Sequence, residues 1–270
     1  GSNDVLDMIA RVFLAPGRST VFSQHAFAVY PIASLSAGAE LIAVPAKDFG
    51  HDLEAMRQAI RPDTRLIWIA NPNNPTGTFL PYPQLKAFLQ AVPANVVVVL
   101  DEAYNEYIPL EERADTTAWL AEFPNLVITR TFSKIYGLAG LRIGYALASA
   151  EVADLMNRVR QPFNCNNLAL AAATAALDDH EFVTRSYELN RAGMEQILGG
   201  LKRFGFAHIP SHGNFLTFKA GDAAALNQKL LKQGVIVRPI GGYGMPEWLR
   251  VTIGTEIENL RFLDALDRAV

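Results

Sequence analysis

Cysteine is almost absent: Cys165 is the only one in 270 residues. A single thiol excludes an intrachain disulfide framework and any cysteine-based zinc site, and a reducing, cytoplasmic setting is the expectation. Charge of one sign is missing too. The 24 basic and 27 acidic residues are scattered along the chain, for a net charge of −3. No broad basic surface for nucleic acid and no polybasic membrane patch is therefore expected. No apolar run reaches the roughly 20 residues that a membrane-spanning helix needs. The N-terminus shows no signal-peptide pattern, and there is neither an internal repeat nor a low-complexity tract. The five histidines, His25, His51, His180, His208 and His212, show no ligand spacing, so no metal site is expected and none of them is assigned to catalysis.

What is present is hydrophobic patterning. Half of the residues are apolar, enough for one large or two ordinary domains with a substantial core. GSNDVLDMIARVFL enters an amphipathic helix at once, with Val5, Leu6, Ile9 and Val12 at helical spacing and Ser2, Asn3 or Asp4 as candidate N-caps. A leading Gly-Ser also has the form of a cloning scar. Short β-branched runs follow at 19–23, 41–46, 65–70, 95–100, 126–130 and 143–148, with helical patterns between several of them, around 52–60 and 83–91. That alternation predicts an α/β layer architecture with a mostly parallel sheet. VVVVL does not alternate, as expected of a strand covered on both faces. Beyond about residue 150 come helical patterns at EVADLMNRVR and LALAAATAAL and a long one over 181–204. FLTFKA, a helix near 222–233, VIVRP, WLRVTIG and a closing helix over 256–268 complete the chain. These predict a large domain over 1–177 and a smaller C-terminal α+β domain over 178–270.

Polar residues cluster where strands end. Asn71 follows RLIWIA, Asp101 follows VVVVL and Thr131 follows LVITR, and ligands of open α/β sheets bind beyond the carboxyl ends of strands. In RTFSKIYGLAGLRIGY (130–145), Lys134 sits beside Thr131 and Ser133, with Arg142 eight residues on. A lysine in an apolar pocket or near another cation becomes a usable amine nucleophile. An arginine and two hydroxyls suit a phosphate dianion. The combination points to pyridoxal phosphate (PLP) held by Lys134, although a surface lysine in a glycine loop fits the same segment. The GLAGLRIG glycines precede a strand rather than follow one, the wrong context for a dinucleotide fingerprint. In VVVVLDEAYNEY, a buried Asp101 is costly unless paired. A pyridinium nitrogen would pair it, with Tyr104 in reach of the ring 3-hydroxyl. A magnesium aspartate would need a P-loop, and no GxxxxGK[ST] occurs. Glu102 and Glu106 are expected on a solvated face or in a local salt bridge. NPNNPTG (71–77) reads as a rigid turn or plain loop that presents Asn74.

NPNNPTG, LDEAY and TFSKxxGLAGLRIGY, in this order and spacing, resemble fold-type-I PLP-dependent aminotransferases. GSNDVLD, QHAFAVYP, RQPFNCNNLALAAA, GNFLTF and GVIVRPI…LRVTIG make histidinol-phosphate aminotransferases the nearest likeness. The resemblance covers essentially the whole chain. It implies an aspartate aminotransferase-like large domain and a smaller C-terminal α+β domain, together in a homodimer. It implies that Lys134 binds the cofactor aldehyde and later shuttles the substrate proton, that Asp101 pairs with the pyridine nitrogen, and that Tyr104 and Asn74 contact the 3-oxygen. Thr131, Ser133 and Arg142 would hold the phosphate with Ser2 and Asn3 at a helix N-terminus, which also assigns GSND to the family's own phosphate loop. Phe27 matches the aromatic that stacks on the ring, alternatively a core phenylalanine, and Arg250 the arginine that grips the substrate anion. Arg238 is a second candidate anion contact, alternatively a surface salt-bridge residue. Asn214 is a candidate for substrate positioning, alternatively a turn residue. Family members carry further residues ahead of the GSND loop. The implied reaction moves an amino group from L-histidinol phosphate to 2-oxoglutarate. An aromatic amino-acid aminotransferase, a threonine-phosphate decarboxylase-like enzyme and a non-catalytic PLP-binding regulatory module are the alternatives.

Overall fold

The computed structural model describes residues 1–270. The elements run α1 (Ser2–Phe13), β1 (Ser19–Ser23), α2 (Val29–Ser36), β2 (Glu40–Val44), α3 (Leu53–Gln58), β3 (Thr64–Ala70), α4 (Tyr82–Ala91), β4 (Val97–Asp101), β5 (Leu126–Thr131), β6 (Gly144–Leu147), α5 (Ala150–Val159), α6 (Asn167–Asp178), and α7 (His180–Arg203). They continue with β7 (His208–Ile209), β8 (Phe215–Lys219), α8 (Ala223–Lys232), β9 (Arg238–Pro239), β10 (Trp248–Thr252) and α9 (Glu256–Asp267).

Six strands form one sheet in the order β2-β1-β3-β4-β5-β6, parallel except for the β5–β6 pair. The apolar runs fail to alternate because both faces are covered. Leu66, Trp68, Ala70, Val97 and Val99 pack under α1, α2 and α5, whereas Ile67, Ile69, Val98 and Leu100 pack under α3 and α4. From β1 the chain steps outward to β2, then returns past β1 to β3 and on to β4 and β5, so the strand order reverses between β1 and β3. Open sheets of this kind place their ligand crevice at that switch.

The second sheet is antiparallel, in the order β7-β8-β10-β9. It has its own core, in which Leu216, Phe218, Leu249 and Val251 meet Ile197 and Leu201 of α7, Leu226 of α8 and Phe262 of α9. We propose the division into a larger and a smaller unit at the α6–α7 junction, because the two cores share no residue. The units touch along the 71–77 loop. Thr217 donates its hydroxyl to the Pro75 carbonyl at 2.6 Å, and the His212 amide donates to the Gly77 carbonyl at 2.9 Å.

Some local expectations are corrected. The first helix begins at Ser2 with Gly1 in the cap position and no side-chain cap, so Ser2, Asn3 and Asp4 form its first turn rather than capping it. Helix α2 has no polar cap to announce it: its cap residue is Ala28, and Pro31 sits in the first turn, where its missing N–H costs no helical bond. Strand β7 is two residues long and is held by pairing with β8.

Gly77 is the position least able to accept a side chain. Its φ is +82°, and a Cβ would lie 2.2 Å from Ser211 Oγ and 2.9 Å from Ser211 Cα. Gly77→Ala should destabilise the protein by about 2–4 kcal/mol, through left-handed strain plus overpacking. The readout is a lower denaturant midpoint with an unchanged m-value.

Candidate active site

A cavity of about 190 Å³ opens at the carboxyl ends of the parallel strands. Its wall includes all ten of the residues expected to hold the cofactor: Ser2, Asn3, Phe27, Asn74, Asp101, Tyr104, Thr131, Ser133, Lys134 and Arg142. They come from strand ends, a helix start and the loops that follow the strands. Asp101 is the last residue of β4 and Thr131 the last of β5. Asn74 lies in the loop after β3, and Ser2 and Asn3 open α1.

Asp101 is buried, with its carboxylate held by two donors. The Tyr30 hydroxyl donates to Oδ2 at 2.8 Å and the Ala103 amide to Oδ1 at 3.2 Å. Burial pushes its pKa up, and the hydrogen bonds and the Lys134 ammonium only partly oppose this. A cationic ring nitrogen would offset that penalty. Lys134 places its ammonium 5.2 Å from the centre of the Tyr104 ring. Burial lowers its pKa, and Arg250 and Arg142 add to the effect; both causes favour the free amine that a nucleophile requires. Burial also raises the pKa of the Tyr104 phenol, so Tyr104 is a protonated donor. Asn74 donates Nδ2 to Tyr104 Oη at 3.4 Å, and its Oδ1 accepts from Arg250 Nη1.

The anion end of the cavity is built from backbone. Gly144 approaches the start of α1 so closely that a Cβ there would lie 2.6 Å from the Ser2 amide nitrogen. The Gly1 amino group donates to the Arg142 carbonyl at 2.8 Å. The Ser133 amide donates to Thr131 Oγ1 at 3.1 Å, and Arg142 is left-handed with φ +55°. An uncapped helix start, two hydroxyls and an exposed guanidinium converge here, a donor set that fits a phosphate dianion.

The expected substrate residues are placed differently. Arg250 lies beside the cavity, its guanidinium 4.9 Å from the Phe215 ring centre and its Nε buried without a partner. Arg238 is exposed directly opposite it in the β9–β10 register. Asn214 faces a separate cavity of about 230 Å³ with Tyr107 and Asn190, and its carbonyl accepts from the Ile253 amide at 2.9 Å. Tyr30 was not among the residues the sequence singles out. It lies three residues after Phe27 in QHAFAVYP, with nothing in the local pattern to mark its contact with Asp101.

A family model described as aminotransferase class I and II matches residues 1–266. The chain belongs to this family. It is 78% identical over 270 residues to histidinol-phosphate aminotransferase 1 of Dechloromonas aromatica, covering all of this chain and 75% of that relative. Identity to histidinol-phosphate aminotransferase 1 of Thiobacillus denitrificans is 64% over 266 residues, or 98% of this chain and 69% of the relative. Among solved structures, histidinol-phosphate aminotransferase from Sinorhizobium meliloti in complex with pyridoxal-5'-phosphate superposes with a TM-score of 0.94 at 30% identity, covering 100% of this chain and 74% of that one. An aspartate aminotransferase from Thermus thermophilus with maleate gives 0.88 at 25% identity, over 100% of this chain and 74% of that one. The expected aspartate aminotransferase-like fold is therefore established.

Around the aminotransferase site runs a second charged layer. Glu102 is buried, not solvated. It accepts from Arg130 at 2.8 Å and from the Thr116 hydroxyl at 2.6 Å. Glu106 is half-buried, and burial pushes its pKa up to about 7, with Arg130 and Arg113 opposing. A carboxyl whose folded pKa exceeds its unfolded one contributes stability at low pH that is lost as pH rises through the folded value. Glu106→Gln should therefore leave stability unchanged near pH 4 and raise it by about 1–2 kcal/mol above pH 7, after discounting for partial exposure. Denaturant unfolding at the two pH values checks the sign.

Proposed function

We propose that this chain carries the catalytic site of a PLP-dependent histidinol-phosphate aminotransferase, which exchanges an amino group between L-histidinol phosphate and 2-oxoglutarate. The single observation that carries the reading is the convergence of Lys134, Asp101, Asn74, Tyr104 and Arg142 on one cavity, in a chain 78% identical to a relative of that name. When bound, PLP supplies an electron-withdrawing pyridine ring that stabilises negative charge at the substrate α-carbon.

The chain's own residues do the rest. Asp101 holds a proton at the ring nitrogen. Asn74 and Tyr104 would hold the 3-oxygen, and Phe27 would pack against the ring. Ser2, Asn3, Thr131, Ser133 and Arg142 bind the phosphate. The Lys134 amine takes the proton from the substrate Cα and returns it one atom away, the general-base role that its lowered pKa favours. Arg250 and Arg238 bind the substrate anion. Two arginines directly opposite on adjacent strands repel unless an anion lies between them. Asn214 is the less direct contact, a neighbour that shapes the substrate end through Tyr107.

The protein as proposed is a cytoplasmic homodimer; no helix is long and apolar enough to cross a membrane. Supporting a dimer, an apolar cleft of about 720 Å³ lies between α1, β6, α5 and the loop ahead of α6. Phe163 is 97% and Leu168 78% exposed at that side of the molecule. The paired substitution Phe163→Glu and Leu168→Glu should convert a dimer to monomer in sedimentation equilibrium.

The purified full-length protein should be yellow with PLP, lose that colour on addition of L-histidinol phosphate and regain it with 2-oxoglutarate. Lys134→Ala should lack the visible band and lose about 10³-fold or more in kcat. A wild-type band that histidinol phosphate leaves unchanged would remove the substrate assignment and keep the cofactor.

A further inference from the structure

Tyr30 is fully buried, and its position is fixed from three sides. Its ring stacks on Trp68, with centroids 5.0 Å apart and planes 4° from parallel. The Trp68 indole donates to Ser34 Oγ at 3.3 Å, one turn beyond Tyr30 on α2. Phe27 meets the Tyr30 ring edge-on at 5.8 Å. The phenol then donates to Asp101 Oδ2 at 2.8 Å. The path closes on itself, because Trp68 lies on β3 and Asp101 on the adjacent β4, in a register that pairs Ala70 with Asp101. Helix α2 is thus locked to the strands whose ends form the site.

We propose that Tyr30 is a positioning residue for amino transfer: seated on Trp68, it fixes the Asp101 carboxylate and keeps it an anion that leaves the shared proton on the cofactor ring nitrogen. The inference rests on the PLP reading above.

Asp101 has two close protein donors, Tyr30 and a backbone amide at 3.2 Å. Tyr30 makes the shorter of these two bonds, and hydrogen bonds to an ionised group are the stronger kind; the buried Thr129 hydroxyl, which has no other partner, adds support to the same carboxylate. Burial, followed by the Asp101 charge and hydrogen bond, raises the pKa of the Tyr30 phenol, so it stays a donor across the working pH range. Removing it makes the carboxylate more basic. The proton between Asp101 and the ring nitrogen then moves toward Asp101, the ring becomes less positive, and the nitrogen that joins Lys134 to the cofactor becomes more basic.

The test uses the PLP-loaded full-length enzyme and reads the pH midpoint at which its visible band titrates. Tyr30→Phe keeps the ring on Trp68 and deletes the donor. Its midpoint should rise by about 1 pH unit, and PLP should bind about tenfold more weakly. Replacing Tyr30 with a fluorinated tyrosine, a stronger donor of nearly the same shape, should lower the midpoint. A packing defect would not produce these opposite shifts. In an Asp101→Asn background, Tyr30→Phe should leave the midpoint where it is. An unchanged midpoint in Tyr30→Phe, or the same shift with Asp101 removed, overturns the proposal. A wild-type protein with no visible band would instead remove the PLP reading on which it rests.

Discussion

A parallel sheet covered on both faces is apolar along most of its central strands, which displaces its charged and amide groups toward the strand ends. That constraint organises the molecule. Leu66 to Ala70 and Val97 to Leu100 alternate between two apolar layers, with polar groups following at Asn71 and Asp101, whereas β5 turns polar over its last three residues, Thr129, Arg130 and Thr131. Because neighbouring strands are hydrogen-bonded in register, these groups arrive at the same edge. The β3–β4 and β4–β5 pairings bring three separate sequence segments into one 190 Å³ cavity.

Electrostatic preparation of that cavity follows from the same burial. A carboxylate at a buried strand end is under pressure to neutralise, and Asp101 relieves it through Tyr30 and the Ala103 amide. A lysine facing the same space, near two arginines, is pressed toward its free amine. The site therefore holds an acid and a base whose environments push each toward its neutral form, which a cationic, phosphorylated ligand would reverse for Asp101. Beneath this layer, the Glu102–Arg130 pair ties the end of β4 to β5 within the interior. Removing one partner of such a pair would strand a buried charge, so the second layer stiffens the first.

The smaller unit meets the site through the 71–77 loop and through Phe215, which packs edge-on against Tyr104 with ring centres 5.2 Å apart. Asn74 meets both Tyr104 and Arg250, Pro75 accepts from Thr217, and Gly77 passes so close to Ser211 that no side chain fits. The segment from 71 to 77 is thus both a wall of the cavity and the seam between two separately packed cores. The residues proposed to meet substrate, Arg250 and Arg238, come from the far side of this seam.

What the sequence determined by itself was local. β-branched runs and period-3.6 patterns placed nearly every strand and helix of both sheets, and short motifs put Asn71, Asp101 and Thr131 at strand ends with Asn74, Lys134 and Arg142 in the segments that follow them. Those signals survive because spacing along a covalent chain sets which side chains share a face. Other features were decided only by tertiary structure. Helix α2 has no cap to announce it, and β7 exists because β8 offers it partners. Glu102 reads as either a solvated acid or a salt-bridge partner, and only the packed structure selects the second, burying it against Arg130 twenty-eight residues away. Tyr30 reaches Asp101 across seventy-one residues, and Arg238 stands opposite Arg250 through strand register alone. Each of these depends on which distant groups burial brings together, and that is a property of the packed molecule, not of any short stretch of its chain.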